Sequence, residues 1–251
     1  MINVLVCGIY GKMGKSITEL IAAEKDMQTV CGIDLRADKS ALPPVYASFD
    51  AVCEKVDVII DFSSPAVLKS ELDWAVKHNC PVVLAATGYT ESDLKLIEAT
   101  SKKLAVFKTG NFSLGINLLV KLVKQAALAL GEGFDIEIIE KHHNQKVDAP
   151  SGTAIMLAES ANSAFDNGKP YVNGRSGITG KRGNEIGVHA VRGGTIVGEH
   201  DVIFAGEDEI ITLSHSARSK RVFAAGAIKA AKWLAGKPAG LYDMTNVLEN
   251  L

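Results

Sequence analysis

The first half of the chain alternates short apolar runs with segments of helical periodicity. Continuous runs rich in valine and isoleucine are typical of parallel strands that are buried on both faces. Such runs occur at residues 2–7, 29–34, 56–62, 81–85 and 104–108, with helical patterns near 12–24, 65–78 and 91–102. Residues 37–52 are expected to hold a loop and one short helix. The alternation predicts an α/β domain of the Rossmann type with an open parallel sheet.

The pattern changes after residue 113. A long helix at 114–130 has a high apolar content all round and is expected to be buried between domains. Period-two alternation at 134–138 then indicates a half-buried strand. It is followed by a helix at 152–165, a glycine-rich loop at 167–184 and strands at 187–192, 195–205 and 209–216. This half is expected to be α+β, with a mixed or antiparallel sheet.

These patterns predict two domains. Residues 1–113 and 218–251 are assigned to dinucleotide binding, since a last helix at 222–235 can return to the first domain. Residues 114–217 are assigned to an α+β substrate-binding and oligomerisation domain with a mixed sheet. No helix pattern covers both faces of that sheet, so an uncovered apolar face is expected to serve association between copies.

Composition is ordinary for a soluble globular protein, and the cysteines are expected to be reduced core residues of a cytosolic one. The 251-residue chain has 47% hydrophobic and 22% charged residues and a net charge of −2, which gives no electrostatic case for nucleic acid or an anionic membrane. Its continuous apolar runs are too short to span a bilayer, and no signal peptide is expected. The four cysteines have no ligand spacing, so neither a metal site nor a disulfide is predicted.

Glycines after the first predicted strand indicate a nucleotide site. Gly8, Gly11 and Gly14 lie between that strand and the first helix. Glycines there allow a tight turn and a close approach of the backbone to pyrophosphate. Asp34 ends the second strand, twenty residues after Gly14, where an acidic residue can accept hydrogen bonds from the adenosine ribose. The combination predicts that the first domain binds a dinucleotide.

The choice between NADH and NADPH stays open. Asp34 favours a free 2′-hydroxyl, whereas Lys12 or Arg36 could neutralise a 2′-phosphate. NADH, with NADPH also accepted, is the expectation. Two further strand ends, at residues 86–88 and 109–112, point toward the same crevice and could hold the nicotinamide amide.

The segment from residue 140 to residue 154 carries the most specific chemistry. It reads E-K-H-H-N-Q-K-V-D-A-P-S-G-T-A and joins the end of a strand to the start of a helix. A histidine can exchange a proton near neutral pH, and a helix N-terminus binds anions. His142 and His143 are poor joint metal ligands, since adjacent strand residues face opposite sides. The segment therefore predicts a site that holds a small carboxylate and protonates it.

The chain resembles the 4-hydroxy-tetrahydrodipicolinate reductase family, also called dihydrodipicolinate reductases, over its whole length. The resemblance rests on the segment at 140–154, G-x-x-G-x-M-G at 8–14, D-F-S-S-P at 61–65, N-F-S at 111–113 and V-G-E-H at 197–200. It implies reduction of a small cyclic imine with two carboxylates, in lysine and diaminopimelate biosynthesis, with NADH and/or NADPH as cofactor. It also implies a cytoplasmic homotetramer.

The resemblance further implies roles for individual residues. It makes His142 the acid/base residue, Lys146 the second proton donor and His143 a substrate contact. It makes Gly152 and Thr153 a carboxylate-binding pair. It places cofactor contacts at Gly8, Ile9, Tyr10, Gly11, Lys12, Met13, Asp34, Ala85, Ala86, Thr87, Thr109, Gly110, Asn111 and Phe112.

Two alternatives fit part of the pattern. Another nicotinamide-dependent dehydrogenase of an amino-acid pathway would share the glycine turn and a second domain, but it would not need the H-H-x-x-K segment. A non-enzymatic NAD(H)-binding redox sensor would need a DNA-binding module or a basic face, and the sequence shows neither. The reductase is therefore the favoured interpretation.

Overall fold

Two compact units make up the computed structural model, which describes residues 1–249. The first unit comprises Met1–Ser113 and the described residues from Arg221 onwards, and the second comprises Leu114–Lys220. Each unit has its own sheet and its own hydrophobic core.

The first unit is a parallel sheet with helices. Its strands are β1 (Ile2–Cys7), β2 (Met27–Ile33), β3 (Val45–Tyr46), β4 (Val58–Asp61), β5 (Val82–Leu84), β6 (Ala105–Lys108) and β12 (Gly240–Tyr242). Its helices are α1 (Lys12–Ala22), α2 (Leu68–His78), α3 (Glu91–Ser101), α6 (Arg221–Leu234) and α7 (Met244–Leu248), with 3₁₀ turns at Phe49–Ala51 and Pro65–Val67. Within the described residues the strand order is β12-β6-β5-β4-β1-β2-β3, and all neighbours are parallel. The predicted Rossmann-type sheet is confirmed.

Two short edge strands were not predicted. β3 lies beside β2, in the segment expected to hold only a loop and a short helix, and β12 lies beside β6. Strands of two or three residues are too short to show a period in the sequence. Their extended form depends on hydrogen bonds from a neighbouring strand that is already in place.

The second unit has a mixed sheet. Its helices are α4 (Leu114–Leu130) and α5 (Gly152–Asn162), followed by 3₁₀ turns at Gly131–Gly133 and Ser163–Phe165. Its strands are β7 (Asp135–His142), β8 (Tyr171–Asn173), β9 (Ile186–Arg192), β10 (Gly198–Ala205) and β11 (Ile210–Ala217), in the order β11-β10-β7-β9-β8 among the described residues. β7, β10 and β11 are antiparallel neighbours, and β7, β9 and β8 are parallel ones. The α+β prediction is confirmed, although β8 occupies part of the predicted loop.

Helix α4 is amphipathic, so the expectation that it is buried is right for one of its sides only. Its buried residues pack into the core of the second unit and are Ile116, Leu119, Val123 and Ala127. Leu118 and Leu128 on the other side are 47% and 60% exposed. The segment Leu114–Gly133 is long and apolar enough to cross a membrane, but the core helix of a soluble protein meets the same two criteria.

Alternation along β7 carries two polar residues onto the core face. Ile136 and Ile138 are buried on that face, in the cluster that contains α5. Glu140 and His142 continue the same period at the carboxyl end of the strand, and both are buried. The strand therefore places the Glu140 carboxylate and the His142 imidazole at its carboxyl end, on the face that packs against the core of the second unit.

The opposite face of this sheet is more polar than the sequence indicated. The side chains of Lys141, Glu199 and Asp201 all lie on this face. The Lys141 ammonium is 3.3 Å from the Glu199 carboxylate and 3.1 Å from the Asp201 carboxylate. Glu137 accepts hydrogen bonds from Arg175 and from its neighbour Arg182. The Lys141 pairs form because β7 and β10 pair in register, whereas Arg175 and Arg182 reach Glu137 from the segment between β8 and β9.

Candidate functional site

The predicted cofactor residues lie along one edge of the first unit. Asp61 pairs in register with Cys7 of β1 and with Leu84 of β5, and Leu84 pairs with Lys108 of β6. Since the strands are parallel, the chain leaves all of them at the same edge, where open α/β sheets bind ligands. The loops that leave there contain residues 8–13, 85–87 and 109–112.

The loop after β1 is shaped for close approach of a phosphate. Gly8 has a φ of +71°, and a Cβ there would lie 3.2 Å from the Cα of Ser63. A Cβ on Gly14 would overlap the carbonyl oxygen of Gly8, so α1 can pack this tightly only without one. Gly11 precedes α1 and brings no side chain to cap it. The first N–H groups of α1 are therefore available to an anion.

Asp34 is anchored beside this loop. The N–H of Tyr10 donates to one carboxylate oxygen at 3.1 Å, and the N–H of Arg36 donates to the other at 3.1 Å. The Arg36 guanidinium lies 3.5 Å from the same carboxylate and 5.3 Å from the centre of the Tyr10 ring. Each oxygen keeps a lone pair for a ribose hydroxyl. The Arg36 side chain is 73% exposed.

The loop after β6 is held in place from inside the unit. Phe112 is 5% exposed, and its ring centre lies 5.7 Å from that of Phe62 and 6.0 Å from that of Phe107. Asn111 is also buried, and its side-chain oxygen accepts a hydrogen bond from the Ser113 N–H at 2.8 Å. These contacts fix the backbone of residues 109–112 at the binding edge.

One segment at this edge was not predicted as part of the site. Residues 62–64 follow β4, and the Cα of Ser63 lies against Gly8. Ser63 donates to the Asp61 carboxylate from its N–H at 2.7 Å and from its hydroxyl at 2.5 Å. The signal was present in the sequence, because D-F-S-S-P follows a predicted buried strand and strand ends bind ligands in such folds.

A buried group beneath this edge has the residue types of a metal site. Cys7, Asp61 and Glu71 place their ligand atoms within 4.8 Å of one another. Burial, followed by the nearby Asp61 charge, raises the pKa of Glu71 well above its ordinary value, and burial likewise raises the pKa of Cys7. The neutral forms are favoured, and neutral thiols and carboxylic acids are poor metal ligands.

In the second unit, the buried carboxylate of Glu140 is the centre of the site. His142 Nδ1 lies 2.6 Å from Glu140 Oε2, and Arg192 donates to both carboxylate oxygens at 2.7 and 2.8 Å. The Ser151 N–H donates to Oε1 at 2.9 Å. Burial raises the pKa of Glu140, but the hydrogen bonds from Arg192, His142 and Ser151 outweigh burial and lower that pKa below its ordinary value.

The N-terminus of α5 forms the adjoining part of the site. The Ser151 hydroxyl caps the helix by accepting a hydrogen bond from the Ala154 N–H at 3.2 Å. Gly152 begins the helix and is exposed, and a Cβ there would meet nothing within 4 Å. Gly152 and Thr153 lie in the first turn of α5, and the N-terminal turn of a helix is a place where carboxylates bind.

Lys146 and His143 lie on the loop between β7 and α5. The Lys146 ammonium donates to both oxygens of Asp148, at 2.7 and 2.8 Å, and its side chain is 21% exposed. The N–H of Lys146 donates to the carbonyl of His143 at 3.1 Å. The structure thus joins His142 to the start of α5 through Glu140, while Lys146 is held by Asp148.

His200 adds a second buried imidazole. Its Nε2 lies 3.2 Å from the Ser151 hydroxyl, and its ring meets that of His142 edge to face with centres 5.2 Å apart. The side chain is 3% exposed. Burial first, then the charge of His142, lowers the pKa of His200 to about 4. His200 is therefore neutral at neutral pH.

The buried state of His200 predicts a loss of stability in acid. A histidine whose pKa is about 4 when folded and 6.5 when unfolded stabilises the fold fully above pH 6.5 and loses that contribution as the pH falls toward 4. Between these limits we expect the wild type to lose up to about 3 kcal/mol more unfolding free energy than His200→Gln. The glutamine keeps an N–H donor for Ser151. Urea unfolding between pH 4 and pH 6.5 measures the unfolding free energy of both proteins. If the two free energies fall in parallel with pH, the prediction is wrong. His78→Gln, which replaces an exposed histidine, is the control.

Four residues of this site were not assigned from the sequence. Ser151 and His200 complete the surroundings of Glu140 and Arg192. Glu140 could have been found, because it lies two residues before His142 on a strand of period two and so shares its face. Arg192 could not, since it reaches Glu140 only through the register of β7 with β9.

Comparisons with known proteins agree on one family. Residues 2–112 match the family model described as dihydrodipicolinate reductase, N-terminus, and residues 115–248 match dihydrodipicolinate reductase, C-terminus. The chain is 50% identical over 253 aligned positions to the 4-hydroxy-tetrahydrodipicolinate reductase of Caldanaerobacter subterraneus subsp. tengcongensis, with 99% of each chain covered. It is 44% identical to the enzyme of the same name from Clostridium tetani, with 100% of this chain and 98% of the relative covered.

A solved structure extends the similarity to the fold. The dipicolinate-bound dihydrodipicolinate reductase from Paenisporosarcina sp. TG-14 matches with a TM-score of 0.79 and 26% identity, covering 97% of both chains. A probable dehydrogenase from Thermotoga maritima matches with a TM-score of 0.64 and 14% identity, which supports the fold alone.

Proposed function

The chain belongs to the dihydrodipicolinate reductase family, and from this premise we propose how its residues perform the family's reaction. It is an NAD(P)H-dependent reductase of lysine and diaminopimelate biosynthesis, which converts 4-hydroxy-tetrahydrodipicolinate to tetrahydrodipicolinate. In our assignment the first unit binds the dinucleotide, and the second binds the cyclic dicarboxylate and carries the proton donors.

One observation carries the proposal for the second unit. The buried carboxylate of Glu140 contacts both His142, at 2.6 Å, and the N–H of Ser151 just before α5, at 2.9 Å. A proton donor and an anion-binding helix N-terminus are thereby tied to one rigid group. A substrate with two carboxylates and a ring carbon that must be protonated needs both features.

Substrate binding is assigned to charges at the end of β7. One carboxylate binds the N–H groups of Gly152 and Thr153, and the other binds the Lys146 ammonium with help from His143. Lys146 is already charge-paired with Asp148, which keeps it oriented toward this loop. Dipicolinate is a rigid aromatic dicarboxylate of similar shape, and we expect it to compete for the same groups.

Cofactor binding is assigned to the edge of the first unit. The α1 N-terminus and the loop at 8–13 hold the pyrophosphate, Asp34 binds the ribose, and the loops at 85–87 and 109–112 hold the nicotinamide. Bound NADH or NADPH supplies the hydride. His142, with Lys146 as second donor, supplies the proton that neutralises the charge left on the ring, a step worth about 10²–10⁴ in rate.

A coupled assay tests the function as a whole. Aspartate semialdehyde, pyruvate and the upstream synthase generate the substrate in place, and added protein should then consume NADH or NADPH. Dipicolinate should inhibit that consumption competitively with substrate. No cofactor consumption above the control without the protein would contradict the proposal.

Asp34 and Arg36 should shift cofactor preference in opposite directions. Asp34→Ala removes the acceptor for the ribose hydroxyls, so it should weaken NADH more than NADPH. Arg36→Ala removes an exposed cation near the 2′ position, so it should weaken NADPH more than NADH. Each charged hydrogen bond is worth about 1.5–3 kcal/mol, or roughly 10- to 100-fold in affinity. Fluorescence titration measures the Kd of each variant for NADH and for NADPH. If a variant loses the same affinity for both cofactors, the replaced residue does not distinguish the 2′-hydroxyl from the 2′-phosphate.

We also infer a cytoplasmic homotetramer. The open face of the second unit's sheet, with Lys141, Glu199 and Asp201 among half-buried Ile139 and Ile203, is the proposed association surface. Closed symmetric assemblies are common among soluble enzymes. Light scattering should report four copies of the 26.7 kDa chain, and a mass near one copy across micromolar concentrations would contradict the assembly.

A further inference from the structure

We propose that Glu140 is a positioning residue that holds His142 in the tautomer with its proton on Nδ1, which leaves Nε2 as the atom that exchanges protons. The inference rests on the proposed function, because it concerns the acid/base role of His142. Its basis is the hydrogen-bond set of one fully buried carboxylate, whose side chain has no exposed surface.

The direction of the Glu140–His142 hydrogen bond follows from chemistry. An ionised carboxylate can only accept, so His142 Nδ1, 2.6 Å away, must donate. The other partners of Glu140 also donate: Arg192 at 2.7 and 2.8 Å and the Ser151 N–H at 2.9 Å. A guanidinium and a main-chain N–H cannot accept a proton here, so together they favour the ionised carboxylate.

The groups around His142 leave its other nitrogen to the substrate. Arg192 of β9 is occupied by Glu140, and His200 of β10 meets the His142 ring by its edge and is bonded to Ser151. Gly198 lies beside Nε2, where a Cβ would approach to 3.1 Å. Because glycine has no side chain, position 198 places no Cβ against Nε2, and the His142 side chain keeps 11% of its surface exposed. Lys146 and its partner Asp148 lie on the following loop.

Glu140→Gln tests this role with little change in volume. A glutamine side chain has one accepting end and one donating end. Its oxygen is drawn to the position of Oε1, where the Ser151 N–H and one Arg192 nitrogen both donate. Its NH₂ group then takes the position of Oε2, where it loses the hydrogen bond from the other Arg192 nitrogen and faces His142 Nδ1, which must accept. The imidazole proton therefore moves to Nε2. Donation of a proton from Nε2 to the substrate leaves the remaining imidazole proton on Nδ1, and that form is disfavoured when Nδ1 faces an NH₂ group instead of a carboxylate.

Nitrogen-15 NMR of histidine-labelled protein reads the tautomer directly. With His142 neutral, the wild type should show a protonated Nδ1 and an unprotonated Nε2. The two signals are assigned to His142 because they are missing from the spectrum of His142→Gln. Glu140→Gln should exchange these two signals and reduce kcat about 10²-fold or more. KM for the substrate and Kd for NADH should change little, since neither binding group is altered.

Glu137→Gln is the matched control. Glu137 lies on the same strand, and its carboxylate also pairs with a histidine and an arginine, His189 at 2.7 Å and Arg175 at 2.9 Å, but on the opposite face. Glu137→Gln should leave kcat and the His142 signals as in the wild type. Light scattering on both variants separates any effect on assembly.

Several outcomes would overturn the inference. If His142 of the wild type carries its proton on Nε2, the inference is wrong without any variant. It is also wrong if Glu140→Gln keeps the kcat of the wild type, or if kcat falls while the tautomer of His142 stays unchanged. If that variant does not fold, Glu140→Asp keeps a carboxylate that only accepts and should retain the Nδ1 proton; loss of it contradicts the inference. A wild type without reductase activity contradicts the proposed function instead.

Discussion

His142→Gln is expected to lower turnover about 10²- to 10⁴-fold while leaving NADH affinity unchanged. The glutamine can still donate to the buried Glu140 carboxylate, which lies 2.6 Å from the histidine it replaces, so the packing is largely kept. It cannot release or take up a proton near neutral pH. The cofactor loops lie in the first unit, and they keep their geometry. Steady-state kinetics and a fluorescence titration with NADH measure the two effects.

The control for this variant is His189→Gln. His189 Nε2 lies 2.7 Å from Glu137, so this histidine also pairs with a glutamate of β7, but on the other face of the sheet. His189→Gln should keep turnover near that of the wild type. Near wild-type turnover in His142→Gln would remove His142 from the acid/base role, and equal losses in both variants would indicate a general effect on the fold.

Lys146→Met should lower kcat/KM for the substrate about 10- to 100-fold. The methionine keeps the length and apolar stem of the lysine but removes a charge-assisted hydrogen bond to a substrate carboxylate, worth about 1.5–3 kcal/mol. The same change removes the second proton donor, so part of the loss is expected in kcat. Substrate saturation curves separate the two parts, and dipicolinate affinity, measured by inhibition, should fall together with substrate binding.

Asp148→Asn separates the ammonium from its ion pair. Asp148 is the residue that accepts from the Lys146 ammonium at 2.7 and 2.8 Å, and its own side chain is 54% exposed. If the Lys146–Asp148 ion pair had only a structural role, Lys146→Met and Asp148→Asn would lower the activity equally. We expect Asp148→Asn to keep most of the activity because the charge on Lys146 remains, and matching losses would refute the assignment of Lys146 to the substrate.

Local patterns in the sequence were enough to identify most of the cofactor edge. Gly8, Gly11 and Gly14 follow a buried strand, and Asp34 directly follows the next one, so their places beside a parallel sheet follow from short-range order alone. The same holds for His142 and for the helix that begins at Gly152, since both lie in one continuous segment. The predicted fold class and family were confirmed because they rest on such local signals.

Side-chain partners from distant segments were decided only by the tertiary structure. Arg192 reaches Glu140 through strand register, fifty-two positions along the chain, and His200 reaches Ser151 from the antiparallel strand on the other side. The edge strands β3 and β12 also depend on a neighbour that supplies their hydrogen bonds. Sequence periodicity tells which face of an element a residue occupies, but not which residue of another element lies opposite. The sequence itself thus determined the sheet edge and the position of His142, the proposed proton carrier, while the packing of β7, β9 and β10 decided which groups surround it.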